Sequence, residues 1–393
     1  MNELTHKTSE MRVLLRAMAR SLEDGRKWLE SRIVPKGKVT RERNFDFFGK
    51  PTWGLWSAGA SKATIHKILD HVAAEAVQSS GDLFFPEEPE AVRNASRLYR
   101  VLYCLMVAAE VRHPLVKNPR ILTRIQHYQS EKTGAVFNFI GDDPADPKPD
   151  PFYCALLTST SIHLFLKLGW RERALRAGDF LVKMVAANRP HMRRKGIFYT
   201  QADLNGKLIT KVPANMSWCF AVSSAKPKQE FWQLGAIMAA LTKLRGRYLH
   251  SALELLGFES TMLPESCEWP QKCKLAWGAG EILKSTARTR TSVLTDLQLA
   301  LAYRVTRNTV VNTFLDAQWP DGSWAGDHYP LQDDAPEFHY DYKLLRGLAN
   351  APRHPTGSKT CVWYTPEEMT GEFLGEMAVA KAGVKALLKA VEG

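Results

Sequence analysis

The sequence has no apolar run approaching the roughly 18 residues that a membrane-spanning helix needs. Its first ten residues are polar, without the apolar core and small-residue cleavage site of a secretory signal, so a cytoplasmic location is expected. No phosphate loop, dinucleotide fingerprint or nucleophile elbow is present. Cysteine is sparse and scattered, at Cys104, Cys154, Cys219, Cys267, Cys273 and Cys361. Four of these sit in apolar or aromatic surroundings, such as Leu102-Tyr103-Cys104-Leu105, which fits free buried thiols better than a disulfide framework. Long basic runs are also missing. The net charge of +12 is spread along the chain, with small clusters at 189–195 and 288–290. Without zinc-finger spacing or an aromatic RNA-binding signature, it reads as a solvated basic surface, and no nucleic-acid partner is expected.

What is present is helical. Phe152 to Leu168 and Arg171 to Met184 are two amphipathic stretches separated by Gly169, and a glycine there is a helix stop followed by a restart. The second helix of such hairpins ends in a glycine closely followed by an aromatic: Gly81 with Phe84, Gly134 with Phe137, Gly196 with Phe198, Gly257 with Phe258, and Gly322 with Trp324. These marks recur roughly every 53 to 65 residues, and the Gly257 case is the weakest. Strand signals are few. Residues 196–200 and 208–212, joined through Asn205-Gly206, predict one small β-hairpin. Thr365-Pro366-Glu367-Glu368 predicts the start of a last helix that runs to Val391. The expected fold is all-α, an α/α toroid of about six helical hairpins forming a single domain over residues 1–393, with an open solenoid as the alternative.

Phe314, Gln318, Gly322 and Trp324 follow the spacing of a QW motif, and Gln129, Gly134 and Phe137 form a degenerate second copy. In this respect the chain resembles the terpenoid cyclase and protein prenyltransferase superfamily of α/α toroids. The resemblance implies a staple in which Gln satisfies free amides at a neighbouring helix terminus and Trp covers the turn. It also implies a central cavity. The chain departs from that family in lacking the Asp-x-Asp-Asp acid, and no convincing zinc set is found: Cys267 and Cys273 read as two free thiols. Asp142-Asp143-Pro144-Ala145-Asp146 spells a magnesium-diphosphate pattern, but its prolines make a poor helix, and Asp333-Asp334 shares that defect, so both read as acidic loops. No metal and no cofactor are expected.

Aromatics at helix starts supply the candidate substrate-binding residues Trp53, Trp56, Tyr153, Trp232, Trp277 and Tyr340, with His328 beside them. The alternative for each ring is packing between helices. Catalytic candidates are His339 and Asp341, in the densest proton-exchanging patch, and Glu281, on a small-residue helix face. Glu230 and Asp327 are further acids, and His163 reads as a core histidine. Three functions compete. The first is a metal-independent cyclase or isomerase of a hydrophobic, terpenoid-like small molecule in specialised metabolism, closing a ring by a pericyclic, Diels–Alder type step. The second is a carbohydrate-active hydrolase or epimerase using paired carboxylates with tryptophan platforms. The third is a non-catalytic helical scaffold. The sequence leaves substrate identity and oligomeric state open.

Overall fold

A computed structural model describes residues 2–88, 97–137, 140–141, 152–212, 220–226, 229–262, 272–286, 294–324 and 365–392. After a single turn at Asn2–Thr5, twelve helices of eight residues or more follow among the described residues. They are α1 (Thr8–Ile33), α2 (Lys50–Ser57), α3 (Lys62–Glu75), α4 (Arg97–Glu110), α5 (Pro119–His127) and α6 (Ala155–Lys167). The second half adds α7 (Arg171–Lys195), α8 (Trp232–Leu244), α9 (Arg247–Glu259), α10 (Cys273–Thr286), α11 (Asp296–Thr309) and α12 (Pro366–Glu392).

Burial separates the helices into two classes. Every residue of α6 from Ala155 to Phe165 is buried, and α8 is buried from Gln233 to Thr242. By contrast, α1 buries only the stripe Met11, Leu14, Met18, Leu22, Gly25, Leu29 and Ile33, the one-face spacing of a helix with solvent behind it. The even-numbered helices pack in sequence, α2 on α4, α4 on α6, α6 on α8, α8 on α10, α10 on α12, and α12 back on α2. That is a closed inner ring. The odd-numbered helices lie outside it: α1 rests on α2 and α12, α7 on α6 and α8, and α11 on α10. The chain is therefore an all-α toroid of six outer–inner pairs.

Glycines let the inner ring close. A Cβ on Gly371 of α12 would lie 2.5 Å from Pro51 Cα of α2, and one on Gly235 of α8 would lie 2.1 Å from the Lys274 carbonyl of α10. Such contacts are closer than side chains allow, so these seams need bare backbone.

The glycine–aromatic punctuation is a clamp on the outer ring. Gly81, Gly134 and Gly322 all have positive φ, and each sets its Cα against the carbonyl of a residue on the next outer helix: Arg120 on α5, Arg176 on α7 and Asp24 on α1. The last of these joins the end of the chain's final outer helix to its first. Gly257 does not belong to the series; it lies inside α9 and meets nothing within 4 Å. The QW residues act in the same clamp, with a different bond from the one expected. Gln318 donates its side-chain amide to the Ser21 and Gly322 carbonyls, 2.9 Å each, rather than accepting from free helix-end amides. Gln129 repeats this toward the Gly134 and Arg173 carbonyls. Trp324 is fully buried over Gly25, and its Nε1 donates to the Phe314 carbonyl.

The single β-hairpin is corrected. The Asn205-Gly206 turn forms, with Gly206 N donating to the Asp203 carbonyl. Across that turn Ala202 bridges Leu208, so residues 201–203 and not 196–200 form the first arm, and two further antiparallel pairs form: β1 (Phe152–Cys154) with β3 (Gln201–Asp203), and β2 (Ile197–Tyr199) with β4 (Ala221–Ser223). The last helix starts as expected, with Glu368 N donating to Thr365 Oγ1.

Candidate functional site

Among the described residues, aromatic rings pack on one another in the middle of the inner ring. Trp53 of α2 stacks on Tyr103 of α4 (5.0 Å between ring centres) and on Trp277 of α10 (5.4 Å), and Trp277 meets His163 of α6 at 4.7 Å. Gly375 of α12 makes room for the Trp53 ring, since a Cβ there would lie 2.3 Å from it. Trp53 and Trp277 are thus packing residues in the middle of the ring. Tyr153 is away from the axis, on β1, bonded to Ser130 Oγ and packed against Phe180 of the outer helix α7. Trp56 and Glu281 lie together at the end of the ring where the inner helices finish. Trp232, with Glu230 just before it, lies at the other end, where the inner helices begin. His328, His339, Tyr340 and Asp341 lie outside the described residues, as do Asp327, the Asp142–Asp146 and Asp333–Glu337 clusters, and Cys219, Cys267 and Cys361.

The mouth at the inner-helix N-termini holds a buried network of acids and bases. Lys50, at the start of α2, has a side chain with no solvent exposure; its Nζ lies 2.5 Å from Glu372 Oε2 and 3.1 Å from Glu368 Oε1. Lys274, at the start of α10, contacts the other oxygen of Glu372 and lies 3.4 Å from Glu376. Glu368, Glu372 and Glu376 occupy successive turns of α12, so a four-residue spacing lines them along one face. Arg100 of α4 extends the network, with its guanidinium 2.7 Å from Asp46 and 2.5 Å from Glu88. Glu230, just before α8, accepts a bond from Trp232 Nε1, and Lys274 Nζ lies 5.5 Å from the centre of the Trp232 ring.

Burial sets the protonation states. It pushes Glu230 up to about 8, against the opposing Trp232 bond and Lys274 charge. Burial also pushes Glu368 up to about 7, with Asp46 adding to the effect and Lys50 and Arg100 opposing it. Glu376 is raised as well, chiefly by burial and against Lys274, and both its carboxyl oxygens lack a hydrogen-bond partner. The named acids (Asp46, Glu88, Glu230, Glu368, Glu372 and Glu376) exceed the named cations (Lys50, Lys274 and Arg100) by three. Raised carboxyls hold protons more readily, which reduces that excess, since a charge left unpaired in such a setting would cost several kcal/mol.

Cys273, Glu372 and Glu376 bring donor atoms within 4.8 Å of one another, a set able to hold a cation. The Lys274 ammonium already stands among them, touching Glu372 and lying 3.9 Å from Cys273 Sγ, so it supplies positive charge at that point. Burial pushes the Cys273 thiol up, which keeps it protonated. The described cysteines Cys104 and Cys273 are free thiols.

No protein-family model matches this chain, and neither does any curated protein. Two solved structures align over nearly its whole length. One, described as a possible member of the GH105 family from Salmonella enterica subsp. enterica serovar Paratyphi A str. ATCC 9150, is 12% identical with a TM-score of 0.49, covering 95% of this chain and 93% of that one. The other, described in the same words from Klebsiella pneumoniae subsp. pneumoniae MGH 78578, is 11% identical with a TM-score of 0.46, covering 96% and 93%. The resemblance to terpenoid cyclases and prenyltransferases is corrected: the neighbours found are described as possible GH105 members. The terpenoid ring-closure function falls with it. The described interior fits that function poorly, since buried ion pairs of lysine and glutamate stand at one mouth of the ring and are unlike the surroundings of an apolar polyene. No helix of the described chain is long and apolar enough to cross a membrane.

Proposed function

We propose that the chain is a carbohydrate-active enzyme, a hydrolase or epimerase, working by acid–base catalysis at the mouth where the inner helices begin. The observation that carries this reading is Glu230. Its carboxyl is buried and held protonated near neutral pH, with one oxygen bonded to Trp232 and the other, Oε1, free of partners. A carboxylic acid that keeps its proton at pH 7 is the group needed to protonate a leaving oxygen or exchange a proton at a sugar carbon. Glu372, bridging two lysines, is the ion-paired carboxylate of the same mouth. Two carboxyl groups in contrasting surroundings are the minimum set for glycoside chemistry. Trp232 offers a ring face beside the acid, and a sugar's apolar face suits it. The links that end at this mouth are also the long ones: residues 196–231 lead into α8, whereas residues 245–246 suffice between α8 and α9.

The test is an oligosaccharide panel assayed for reducing ends and, by NMR, for inverted carbons, with wild type and the Glu230→Gln and Glu230→Asp variants. Activity on a sugar that drops at least about a hundredfold in Glu230→Gln, with loss of the alkaline limb of its pH profile, is the expected result. Turnover of a sugar that Glu230→Gln leaves unchanged would remove Glu230 from the chemistry.

A further inference from the structure

The opposite mouth, where the inner helices end, gathers a second polar cluster that the acid–base reading does not use. Lys167 closes α6, while Lys243 and Lys284 lie in the last turns of α8 and α10. Lys243 Nζ is 3.0 Å and Lys284 Nζ 3.1 Å from the two oxygens of Glu281, and Lys167 pairs with Glu110 at the end of α4. Trp56, near the end of α2, donates to Glu110.

Lysines at helix C-termini offset the negative ends of the helix dipoles, and that is their plainest role. Two features go beyond it. First, the cluster acts across the ring. The Lys243 charge on α8 reaches Glu110 on α4, and the Lys284 charge on α10 reaches His163 on α6, although another inner helix separates each pair. These groups therefore converge on the axis. Second, His163 lies beneath them, 7% exposed, with an Nε2 that has no hydrogen-bond partner. Burial, reinforced by the three lysine charges, keeps this ring neutral. The lysine side chains stay 26% to 34% exposed, open to solvent from above.

We infer that this mouth binds a small oxyanion, a carboxylate or phosphate group, between Lys167, Lys243 and Lys284, with His163 Nε2 as the innermost hydrogen-bonding atom. A charge-assisted bond from each ammonium and one bond at the buried imidazole would satisfy both features together.

The test is calorimetric titration of the full chain with inorganic phosphate, and separately with acetate, at constant ionic strength. Saturable binding is expected with one of the two, and which one binds more tightly distinguishes a phosphate from a carboxylate ligand. Lys243→Gln should weaken that binding about tenfold, the loss of one charge-assisted bond. Glu281→Gln should tighten it severalfold, because it removes the carboxylate that competes for two of the lysines. A purely structural role for the cluster would not produce opposite signs. His163→Phe, which keeps the stacking on Trp277, should weaken binding without altering the circular dichroism spectrum. Absence of saturable binding for both probes, or affinities unmoved by both charge variants, overturns the inference. None of these outcomes depends on Glu230, so this site and the acid–base site fail separately.

Discussion

Replacing Glu230 with Gln should make the protein more stable at neutral pH while abolishing its use as an acid. The unfolded carboxyl titrates near 4.5, and burial raises it to about 8 in the fold. Between these values the folded chain holds a proton that the unfolded chain has released. Wild-type stability from this group is therefore greatest below pH 4.5, declines as pH rises, and levels off above about pH 8. At pH 7 the group has crossed about 2.5 pH units, which at about 1.4 kcal/mol per unit costs about 3 kcal/mol. Gln is isosteric, stays neutral, and can still accept the bond from Trp232 Nε1. Its advantage should be near zero at pH 4.5 and about 3 kcal/mol at pH 7. Urea unfolding followed by tryptophan fluorescence at pH 5, 7 and 9 measures the difference directly. If the variant and wild-type stabilities ran parallel across that range, the carboxyl would be solvated or ion-paired, and the acid reading would lose its basis.

Other perturbations test the frame around the site. Gly371→Ala drives a methyl into the Pro51 backbone at 2.5 Å and should cost about 3 kcal/mol, seen as a lowered melting temperature. Gly257→Ala meets nothing within 4 Å inside a helix and should raise stability by roughly 0.5 to 1 kcal/mol in the same assay. Gln318→Ala removes one bond to the Ser21 carbonyl of α1 and one that holds the local Gly322 turn, for a loss of about 1 to 2 kcal/mol by chemical unfolding. Lys50→Met strips Glu368 and Glu372 of a buried ammonium, at a cost of about 3 to 5 kcal/mol at pH 8. That defect should shrink toward pH 5, because Glu368, raised to about 7 by burial, is protonated there and no longer needs the lysine, and paired denaturation curves at the two pH values check it.

Much of the ring was legible because each of its parts is a local signal. Gly81, Gly134 and Gly322 can be found in the sequence since a positive φ and a close backbone approach both demand glycine. The number of hairpins then follows from their spacing. Gly257 shows the limit of this reasoning, because a glycine beside a phenylalanine inside a helix carries the same letters with none of the geometry. Strand pairing was not legible for a related reason. The Asn205-Gly206 turn is local, but β2 finds its partner at Ala221–Ser223 and β3 finds its partner at Phe152–Cys154, on the far side of α6 and α7.

The site was hidden by charge. Glu368, Glu372 and Glu376 recur every four residues on an alanine- and glycine-rich helix, a pattern that an exposed helix face also produces. What distinguishes the two cases is the run of small residues beside the acids. Gly371 and Gly375 let α2 press against α12, so the glutamate stripe faces the ring's interior and not water. Once the acids are inside, lysines must follow, and they come from the starts of two other inner helices: Lys50 before Pro51, and Lys274 after Cys273. Neither lysine has a sequence neighbour that announces its role. The closing of the ring brings them together, and the same closing separates Trp56 and Glu281 from Trp232 by placing them at opposite mouths. Aromatic residues near helix starts were a sound guide to the inner helices. Trp53, Tyr103 and Trp277 pack on one another there, and the buried carboxyls Glu230 and Glu368 lie at helix N-termini, where the dipole favours carboxylates and desolvation restrains them.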